Sequence, residues 1–459
     1  MASRTKKTLV ALVSLGCPKN LVDSEKMMAS LAEGGCVVGA PMDDADVIVV
    51  NTCGFLSAAR QESLDVIAEA VAQKRRGRAR RVVVAGCLVN RDAEKLFELA
   101  PGIDAVVGVN DRDKILAAVM GGNERQSLLT RDATAAVSDA GRFRLTAPHT
   151  AYLRISEGCS RRCSFCTIPA IRGPFRSKPV AAVLREAREL IASGAVELNI
   201  IGQDTTSYGW DWRERTAGKT TSIAASMPPH SKGHLAELMW KLDRLRGVRW
   251  LRLLYAYPNR FDDAMIDCMA AADHIVPYVD IPLQHVNDAI LKAMRRGVTR
   301  SAIERLLEKL RRHVKGITIR TTFIVGFPGE TDEQFEELLS FVKDFRFDAL
   351  GVFEYSREPG TAAADMSGQV PAAVKRRRAR AVMAAQQKIA FAANGKAVGA
   401  SLECLVDGRD GRGRCVARHR GQAPDIDSVC YLAQPREAGS FVTGTVTGCD
   451  GYDLVVEPR

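Results

Sequence analysis

The stretch GCSRRCSFC (158–166) determines how the rest of this sequence is interpreted, because it holds three cysteines in a Cys-x-x-x-Cys-x-x-Cys spacing. Cys159, Cys163 and Cys166 are close enough in sequence to converge on one small inorganic centre. Most protein iron–sulfur clusters have four cysteine ligands and only transfer electrons. A cube with three cysteine ligands leaves one iron open to a substrate or cosubstrate, so this spacing predicts chemistry at the metal.

A structural zinc site is the alternative interpretation of the same cysteines. Structural zinc usually has four protein ligands, commonly supplied as paired Cys-x-x-Cys elements. The nearest candidate for a fourth ligand is His149, which precedes the strand predicted to lead into the triplet. The ligand count therefore favours an open iron–sulfur cluster over zinc.

The composition is that of a globular protein with several domains. The chain has 459 residues, 46% of them hydrophobic and 26% charged, and a chain of this length divides into two to four cores. The apolar run LVALVSL (9–15) is too short for a membrane span and lacks a signal-peptide cleavage site. We therefore expect a cytoplasmic protein, in which twelve cysteines indicate metal or redox use over disulfides.

Residues 7–122 are expected to form an N-terminal α/β domain. Apolar strand patterns alternate with helical patterns, the strands at 8–15, 46–51, 81–86 and 103–109 and the helices at 21–33, 57–76 and 93–100. This alternation predicts a parallel sheet with flanking helices.

Cys17, Cys53 and Cys87 each follow one of the first three predicted strands by one or two residues. The carboxyl ends of parallel strands lie at one edge of a sheet, where ligands bind. The repeated strand–cysteine–helix unit therefore predicts a second three-cysteine site. The alternative is three unrelated buried cysteines, a common environment for free cysteine.

Residues 145–380, after a linker at 123–144, are expected to form the central domain. Strand patterns that alternate with helical ones occur at 151–156, 196–202, 249–255, 276–283, 316–326 and 348–355. Six strand–helix units predict an open, partial version of the eight-unit barrel, whose chemistry lies at the C-terminal strand ends. The cysteine stretch emerges at such an end, and the polar segment 213–233 is interpreted as a surface insertion.

A connecting helix is expected at 371–394, with Pro371 at its start and Gly395 just past its end. It contains the basic run KRRRAR (375–380). Such a run fits either direct contact with RNA or a solvated helix face, and isolated charge runs are usually the latter.

Residues 391–459 consist of short alternating runs between turn residues, which predicts a small antiparallel β-barrel. Its cysteines lack paired Cys-x-x-Cys spacing, so we expect core residues and not zinc ligands at Cys404, Cys415, Cys430 and Cys449. The whole chain has a formal net charge of +11, but these residues carry eight Lys/Arg against nine Asp/Glu. The last domain is therefore not a basic nucleic-acid clamp.

The cysteine stretch resembles the signature of the radical S-adenosylmethionine (SAM) superfamily. In that superfamily the open iron binds the amino and carboxylate groups of SAM, and one electron cleaves SAM to a deoxyadenosyl radical. The resemblance also implies that Phe165, the aromatic residue before the last cysteine, lies near the adenine.

The three domains in order resemble the methylthiotransferase family, which combines a three-cysteine N-terminal domain, a radical SAM core and a C-terminal TRAM domain. SLGCPKNLVDSE (14–25) is similar to the RimO branch of this family, whereas the tRNA-modifying MiaB branch has a GC-Q-x-N form there. Further stretches similar to RimO are NTCGF (51–55), IIGQDTTSYG (200–209), LLYAYP (253–258), DIPLQH (280–285), TTFIVGFPGET (321–331) and APDIDS (423–428).

The resemblance implies an enzyme that adds a methylthio group to the β-carbon of an aspartate on the small-subunit ribosomal protein S-twelve. It implies SAM and two 4Fe-4S clusters as cofactors, one cluster producing the radical and the other presenting sulfur. The expected metal-binding and catalytic residues are Cys17, Cys53, Cys87, Cys159, Cys163 and Cys166. An external electron donor is a further expected partner.

Four residues are candidates for contact with SAM. Gln203 and Asp204 follow a barrel strand, where members of the superfamily usually contact SAM, but a turn with an Asp cap is the alternative. Gly326 and Gly329 would let the backbone approach the adenine, and a plain tight turn is the alternative.

Arg320 and His285 have weaker assignments. Arg320 pairs either with a carboxylate of SAM or substrate or with an acidic residue inside the barrel. His285 lies at a predicted strand end, where we expect a structural histidine.

Two other functions fit part of the pattern. A MiaB-like enzyme that modifies a tRNA adenosine would favour a basic last domain. A non-catalytic iron–sulfur RNA-binding protein would not need strand-end motifs of the SAM type. The near-neutral last domain suits a basic protein partner by charge complementarity, in agreement with the GCPKN context.

Overall fold

A computed structural model describes residues 7–122, 124–130, 136–212 and 234–459. The segment 213–233, interpreted above as an insertion, lies outside the described residues. The three domains follow one another in the predicted order. Their boundaries at 122, 144, 380 and 391 stay predictions.

The N-terminal domain is a six-stranded parallel sheet in the order β2-β1-β3-β4-β5-β6. Its strands are β1 Leu9–Ser14, β2 Val37–Val38, β3 Val47–Thr52, β4 Arg81–Gly86, β5 Ala105–Val107 and β6 Gln126–Leu128. The valine-rich β3 and β4 are buried along their whole length, as expected for strands covered by helices on both faces. The parallel sheet is confirmed, while the edge strands β2 and β6 are too short to give a sequence pattern.

The helices of this domain follow the predicted alternation. They are α1 Pro18–Glu33, α2 Ser57–Arg75, α3 Cys87–Leu99 and α4 Ile115–Met120. The third helix begins six residues earlier than predicted, at Cys87 itself, so one cysteine of the first triplet is a helical residue.

The central domain is a six-stranded parallel sheet in the order β14-β13-β12-β11-β10-β7, which confirms the partial barrel. Its strands are β7 Thr150–Arg154, β10 Glu197–Ile201, β11 Trp250–Leu253, β12 Ile275–Asp280, β13 Thr318–Val325 and β14 Ala349–Glu354, with an antiparallel pair β8 Ser156–Glu157 and β9 Arg176–Ser177. Its helices are α5 Ile168–Arg172, α6 Val180–Ala192, α7 His234–Asp243, α8 Asp263–Ala271, α9 Asp288–Ala293, α10 Arg300–His313, α11 Asp332–Phe345 and α12 Ala372–Ala397.

The inner face of this open barrel is covered by the other two domains. Tyr152 and Trp250 of the barrel strands pack in one buried cluster with Val22 of α1 and with Leu405 and Ala423 of the C-terminal domain. Both neighbours therefore bury apolar surface that a partial barrel leaves open.

The connecting helix α12 is longer than predicted. Pro371 is its N-cap, as expected, but the helix continues through Gly395 to Ala397. Asn394 donates hydrogen bonds to the carbonyls of Gly451 and Tyr452 at 3.1 and 3.0 Å, and Phe391 packs edge-on against the Tyr452 ring. These tertiary contacts hold the last turn, so the weak helix propensity of Gly395 does not end it.

The basic run in α12 is not a uniform solvated face. Arg378 is buried and pairs with Glu330 and Asp332 at 3.1 and 2.8 Å. Lys375 donates to the carbonyl of Tyr355 at 2.7 Å. Two of the six residues in the run are thus used to fix the helix on the barrel, and RNA contact by the rest stays a prediction.

The C-terminal domain is a closed five-stranded barrel, as predicted, but one of its five strand pairs is parallel and not antiparallel. Its strands are β15 Ser401–Arg409, β16 Cys415–His419, β17 Cys430–Leu432, β18 Phe441–Asp450 and β19 Asp453–Pro458. Cys404, Cys415 and Cys430 are in the barrel core. The expectation for Cys449 was wrong, since this residue near the end of β18 is exposed.

A buried ion-pair cluster attaches this domain to the central barrel. Glu197 of β10 is fully buried and pairs with Arg252 of β11 at 3.1 Å and with Arg418 of β16 at 2.7 Å. Burial alone would raise the pKa of Glu197, but the two guanidinium groups hold it below its ordinary value. A carboxylate with a lowered folded-state pKa stabilises the protein above its unfolded pKa and loses this contribution as the pH falls through the folded value.

We expect Glu197→Gln to lower the free energy of unfolding by about 3–5 kcal/mol at pH 7, because it leaves the buried Arg252 guanidinium without its carboxylate partner and leaves Arg418 with Asp407 alone. The first unfolding transition in urea measures this. Glu403→Gln is the matched control, since Glu403 pairs with half-exposed arginines and such pairs contribute about 0–1 kcal/mol. Equal effects of the two substitutions at pH 7, or a wild-type advantage that does not shrink as the pH falls below the unfolded-state value of about 4.3, would contradict the account.

Candidate active site

The structure places the first cysteine triplet at one edge of the N-terminal sheet. Cys17 is the N-cap of α1 after β1, Cys53 follows β3, and Cys87 is the first residue of α3 after β4. A Cβ atom on Gly16 would lie 2.8 Å from the Cβ of Cys53, and one on Gly54 would lie 2.8 Å from the carbonyl carbon of Cys87. The two glycines therefore let the three cysteine loops meet.

The three cysteines of this triplet differ in burial and in nearby charge. Burial raises the pKa of Cys53, and it raises that of Cys87 to about 12. Burial would also raise the pKa of Cys17, but the charges of Lys19 and Arg172 outweigh it and lower the value. Cys17 keeps solvent-accessible surface, whereas Cys87 is buried.

The second triplet lies beyond the C-terminal end of β7 in the central domain. The backbone N–H of Arg161 donates to Cys159 Sγ at 3.4 Å, and Arg296 Nη1 donates to Cys163 Sγ at 3.7 Å. Burial raises the pKa of Cys159 and of Cys166 to about 12, and charge on Cys163 adds to each shift. The three thiols are therefore neighbours.

An aromatic–cation stack supports this second triplet. The ring centroid of Tyr257 lies 4.0 Å from the Arg161 guanidinium carbon and 3.9 Å from that of Arg296. Two cations beside the thiols favour their ionised form, which is the form that binds metal.

The thiol sets fit a cluster better than a single ion. Across the described ranges, no three Cys, His, Asp or Glu side chains are close enough to hold one metal ion. Structural zinc normally has four protein ligands, whereas each site here supplies three cysteines. Both triplets therefore suit an iron–sulfur cluster with three cysteine ligands.

The two triplets lie next to each other. Thr167, which follows Cys166, donates from Oγ1 to the carbonyl of Phe55 at 3.4 Å, two residues beyond Cys53. Ile171 of α5 packs in one buried cluster with Cys87. The loops that carry the two cysteine sites are thus in direct contact across the domain boundary.

A buried ionic network fixes this arrangement. Arg172, at the end of α5, pairs with Asp23 of α1 at 2.8 Å and with Glu157 of β8 at 3.0 Å. Arg154 of β7 pairs with the same two carboxylates at 2.7 and 2.8 Å. All four side chains are buried, so each charge depends on its partners, and the pairs hold the N-terminal domain in register on the barrel.

Gln203 and Asp204 have partners within the protein. Asp204 accepts from Arg161 Nε at 2.6 Å and from the Ser207 hydroxyl at 2.5 Å, so it anchors the loop of the second triplet. Gln203 donates to Glu157 at 3.3 Å. The predicted SAM contacts of both residues stay predictions.

Phe165 and the GFPGE turn come together as the sequence suggests. Phe165 packs against a buried cluster that includes Phe327 and Met294. Gly326 and Gly329 have positive φ values of 71° and 81°, and the carboxylate of Glu330 accepts from the backbone N–H of Gly326 and of Phe327. The turn is therefore rigid beside the cysteine loop, and the adenine contacts stay predictions.

For Arg320 the structure shows the ion pair inside the barrel. Arg320 pairs with Asp280 at 3.0 Å and with Asp427 of the C-terminal domain at 3.3 Å. His285 is fully buried and accepts from the backbone N–H of Asn287 at 3.0 Å. Burial lowers the pKa of His285 to about 4, which agrees with a structural, neutral histidine.

Glu358 is a site residue that sequence reasoning missed. Its buried carboxylate accepts from the backbone N–H and the hydroxyl of Ser57 at 2.8 and 3.0 Å and pairs with Arg91 at 2.8 Å. Arg91 in turn donates to the carbonyls of Gly54 and Phe55 at 2.8 and 3.1 Å. A barrel residue thus positions the Cys53 loop, and no short motif signals such a contact.

We expect Glu358→Gln to loosen the Cys53 loop, because the amide cannot pair with Arg91 and accept both Ser57 bonds as a carboxylate does. Hydrogen exchange of residues 53–60 should accelerate about tenfold or more, equivalent to ~1.4 kcal/mol of lost protection. Glu354→Gln, at an exposed glutamate four residues earlier, is the control. Unchanged exchange in the Glu358 variant would refute this positioning role.

Comparison with known proteins agrees with this architecture. Family models match residues 9–108 (Uncharacterized protein family UPF0004), 153–342 (Radical SAM superfamily) and 398–458 (TRAM domain). Among solved structures, the radical S-adenosylmethionine methyltransferase TsrM from Kitasatospora setae, with cobalamin and a [4Fe-4S] cluster bound, aligns with a TM-score of 0.55 at 17% identity over 78% of this chain and 77% of that one.

The fold and the cysteine loop define the class of this protein as a radical SAM enzyme. Curated relatives are more specific. A protein of an Anaeromyxobacter species called ribosomal protein uS12 methylthiotransferase RimO is 44% identical over 98% of this chain and 92% of its own length. A protein of the same description from Pelotomaculum thermopropionicum is 43% identical over 98% of both chains. The chain belongs to the RimO family of radical SAM methylthiotransferases.

Proposed function

We propose that this enzyme adds a methylthio group to the β-carbon of an aspartate on ribosomal protein uS12, the S-twelve protein of the small subunit. The observation that carries the proposal is the contact between the two three-cysteine loops, in a chain whose curated relatives are uS12 methylthiotransferases. The reaction needs a radical source and a sulfur source beside the same carbon. Two adjacent sites on one chain meet that need.

The cofactors are two 4Fe-4S clusters and SAM. We assign one cluster to Cys159, Cys163 and Cys166 and the other to Cys17, Cys53 and Cys87. When bound, these groups supply one-electron chemistry at an unactivated C–H bond and deliver the sulfur and the methyl group. An aliphatic C–H is not acidic enough for a protein base, which is why such groups are needed.

The chain's own residues hold the two sites in a fixed relation. Arg172 and Glu358 bind across the domain boundary next to the cysteine loops. Arg161 and Arg296 place positive charge at the second triplet, and the Tyr257 ring lies against both guanidinium groups. The protein thus supplies positioning and electrostatics, while the cofactors supply reactivity.

The partners follow from this chemistry. The substrate is a ribosomal protein, and an electron donor from outside the chain is required by our assignment. Direct RNA contact through the exposed part of KRRRAR and a cytoplasmic location stay predictions. No helix in the described part of the chain is long and apolar enough to cross a membrane.

Each cluster assignment predicts a loss of iron. We expect Cys17→Ala and Cys159→Ala each to retain about half of the wild-type iron after anaerobic reconstitution, since each removes one ligand of one cluster. Cys36→Ala is the control, because Cys36 packs in the core of the N-terminal domain. Full iron content in either variant would exclude that cysteine as a ligand.

The substrate assignment is tested by mass analysis. Reconstituted enzyme with SAM and a reductant should give uS12 a methylthio mass gain that fragments to one aspartate, and should leave bulk tRNA unchanged. A gain on tRNA alone would reverse the assignment in favour of the MiaB-like activity.

A further inference from the structure

Lys19 is a buried cation beside the first cysteine triplet. It stands two residues after Cys17 in the first turn of α1, and only 6% of its surface is exposed. Its ammonium nitrogen lies over the ring of Tyr255, 2.8 Å from the ring centroid. Among the residues that the structure describes, this ammonium group has no hydrogen-bond acceptor and no carboxylate partner.

The carboxylates around Lys19 are already paired with arginines. Asp280 and Glu157 both attract the Lys19 ammonium without forming an ion pair with it. Asp280 is paired with Arg320 at 3.0 Å, and Glu157 is paired with Arg154 and Arg172 at 2.8 and 3.0 Å. The Cys17 thiol acts on Lys19 more strongly than either carboxylate does, but Cys17 is assigned to the cluster. Buried charges are normally paired, and no carboxylate in the described part of the chain is left to pair with the Lys19 ammonium.

The backbone conformation of Tyr255 indicates that the surroundings of Lys19 are a functional site. The residue follows β11 at the C-terminal edge of the barrel and has a φ of 59°, a region that bulky side chains rarely adopt. Its backbone N–H donates to Asp280 at 3.2 Å and its carbonyl accepts from Thr205 at 3.1 Å. Strain that surrounding bonds maintain is typical of functional sites, and here it places an aromatic ring beneath the Lys19 ammonium.

We propose that Lys19 binds the side-chain carboxylate of the substrate aspartate. This inference rests on the proposed function: the reacting β-carbon is bonded directly to that carboxylate, and the sulfur comes from the site that contains Cys17. A cation two residues from Cys17 is therefore where the carboxylate lies when the β-carbon faces the sulfur. A charge-assisted hydrogen bond from Lys19 fixes that position.

The same contact gives specificity. A nucleobase has no anionic group to pair with Lys19 and would leave the ammonium buried and unpaired, which disfavours its binding. An asparagine side chain matches the shape of aspartate but not its charge. Lys19 thus selects an acidic side chain over neutral ones.

Equilibrium binding of uS12 to the SAM-loaded, reconstituted enzyme tests the inference. Two substrates are compared, natural uS12 and uS12 with asparagine at the target aspartate, on wild type, Lys19→Met, Lys19→Arg and Lys26→Met. Methionine keeps the aliphatic packing on Tyr255. Lys26 lies on the same helix and donates to the carbonyl of Ala140 at 2.6 Å.

We expect Lys19→Met to bind natural uS12 about 10- to 100-fold more weakly, the range for a hydrogen bond to a charged group, and to bind the asparagine form as wild type does. Lys19→Arg should recover most of the affinity, and Lys26→Met should match wild type. Iron content and SAM affinity should be unchanged in all variants.

Three results would overturn the inference. One is equal weakening for both substrates, or none for either. Another is loss of iron in Lys19→Met, which would make Lys19 a support of the Cys17 site. The third is loss of SAM affinity, which would assign Lys19 to the carboxylate of SAM. Failure of the wild-type enzyme to modify uS12 would overturn the proposed function, and this inference with it.

Discussion

The pairing of Arg172 with Asp23 and Glu157 is the interaction on which the site depends. Arg172 ends the short helix that follows Cys166, and Asp23 lies on the helix that begins after Cys17. One guanidinium group therefore connects the elements that carry the two cysteine sites. Because all three charges are buried, none of them tolerates the loss of its partners, and the two domains have one relative position that satisfies the network.

This constraint explains how elements of separate domains are held next to each other at the site. Glu358 adds a second link at the Cys53 loop. The apolar cluster of Val22, Tyr152 and Trp250 packs between the N-terminal domain and the barrel. The C-terminal domain contributes by the same principle, since its Asp427 shares Arg320 with Asp280 at the barrel strand ends. Sulfur insertion requires two reactive centres at a fixed separation, and buried ion pairs between domains provide that rigidity.

Sequence patterns predicted the fold and the grouping of the cysteines, and physical reasons limit what else they show. Strands such as VIVVN and RVVVAG are apolar on both faces and thus identify a parallel sheet, and a cysteine after each strand end identifies an edge. Gly395 and Cys449 were placed incorrectly because tertiary contacts at Asn394 and Phe391 extend the helix, and because barrel register decides which face of β18 is buried. The partners of Arg172, Glu358 and Lys19 are far away in sequence, so only the folded chain shows which of these charges are neutralised.

The central claim is that the two cysteine triplets hold two clusters next to each other, and electron paramagnetic resonance of the reduced, reconstituted enzyme tests it most directly. The account predicts a magnetic interaction between two reduced clusters in the wild-type enzyme. The interaction should disappear, leaving the signal of one isolated cluster, when Cys17, Cys53 and Cys87 are replaced by alanine. If the wild-type spectrum is the plain sum of two isolated cluster signals, the claim that the two clusters are neighbours is contradicted.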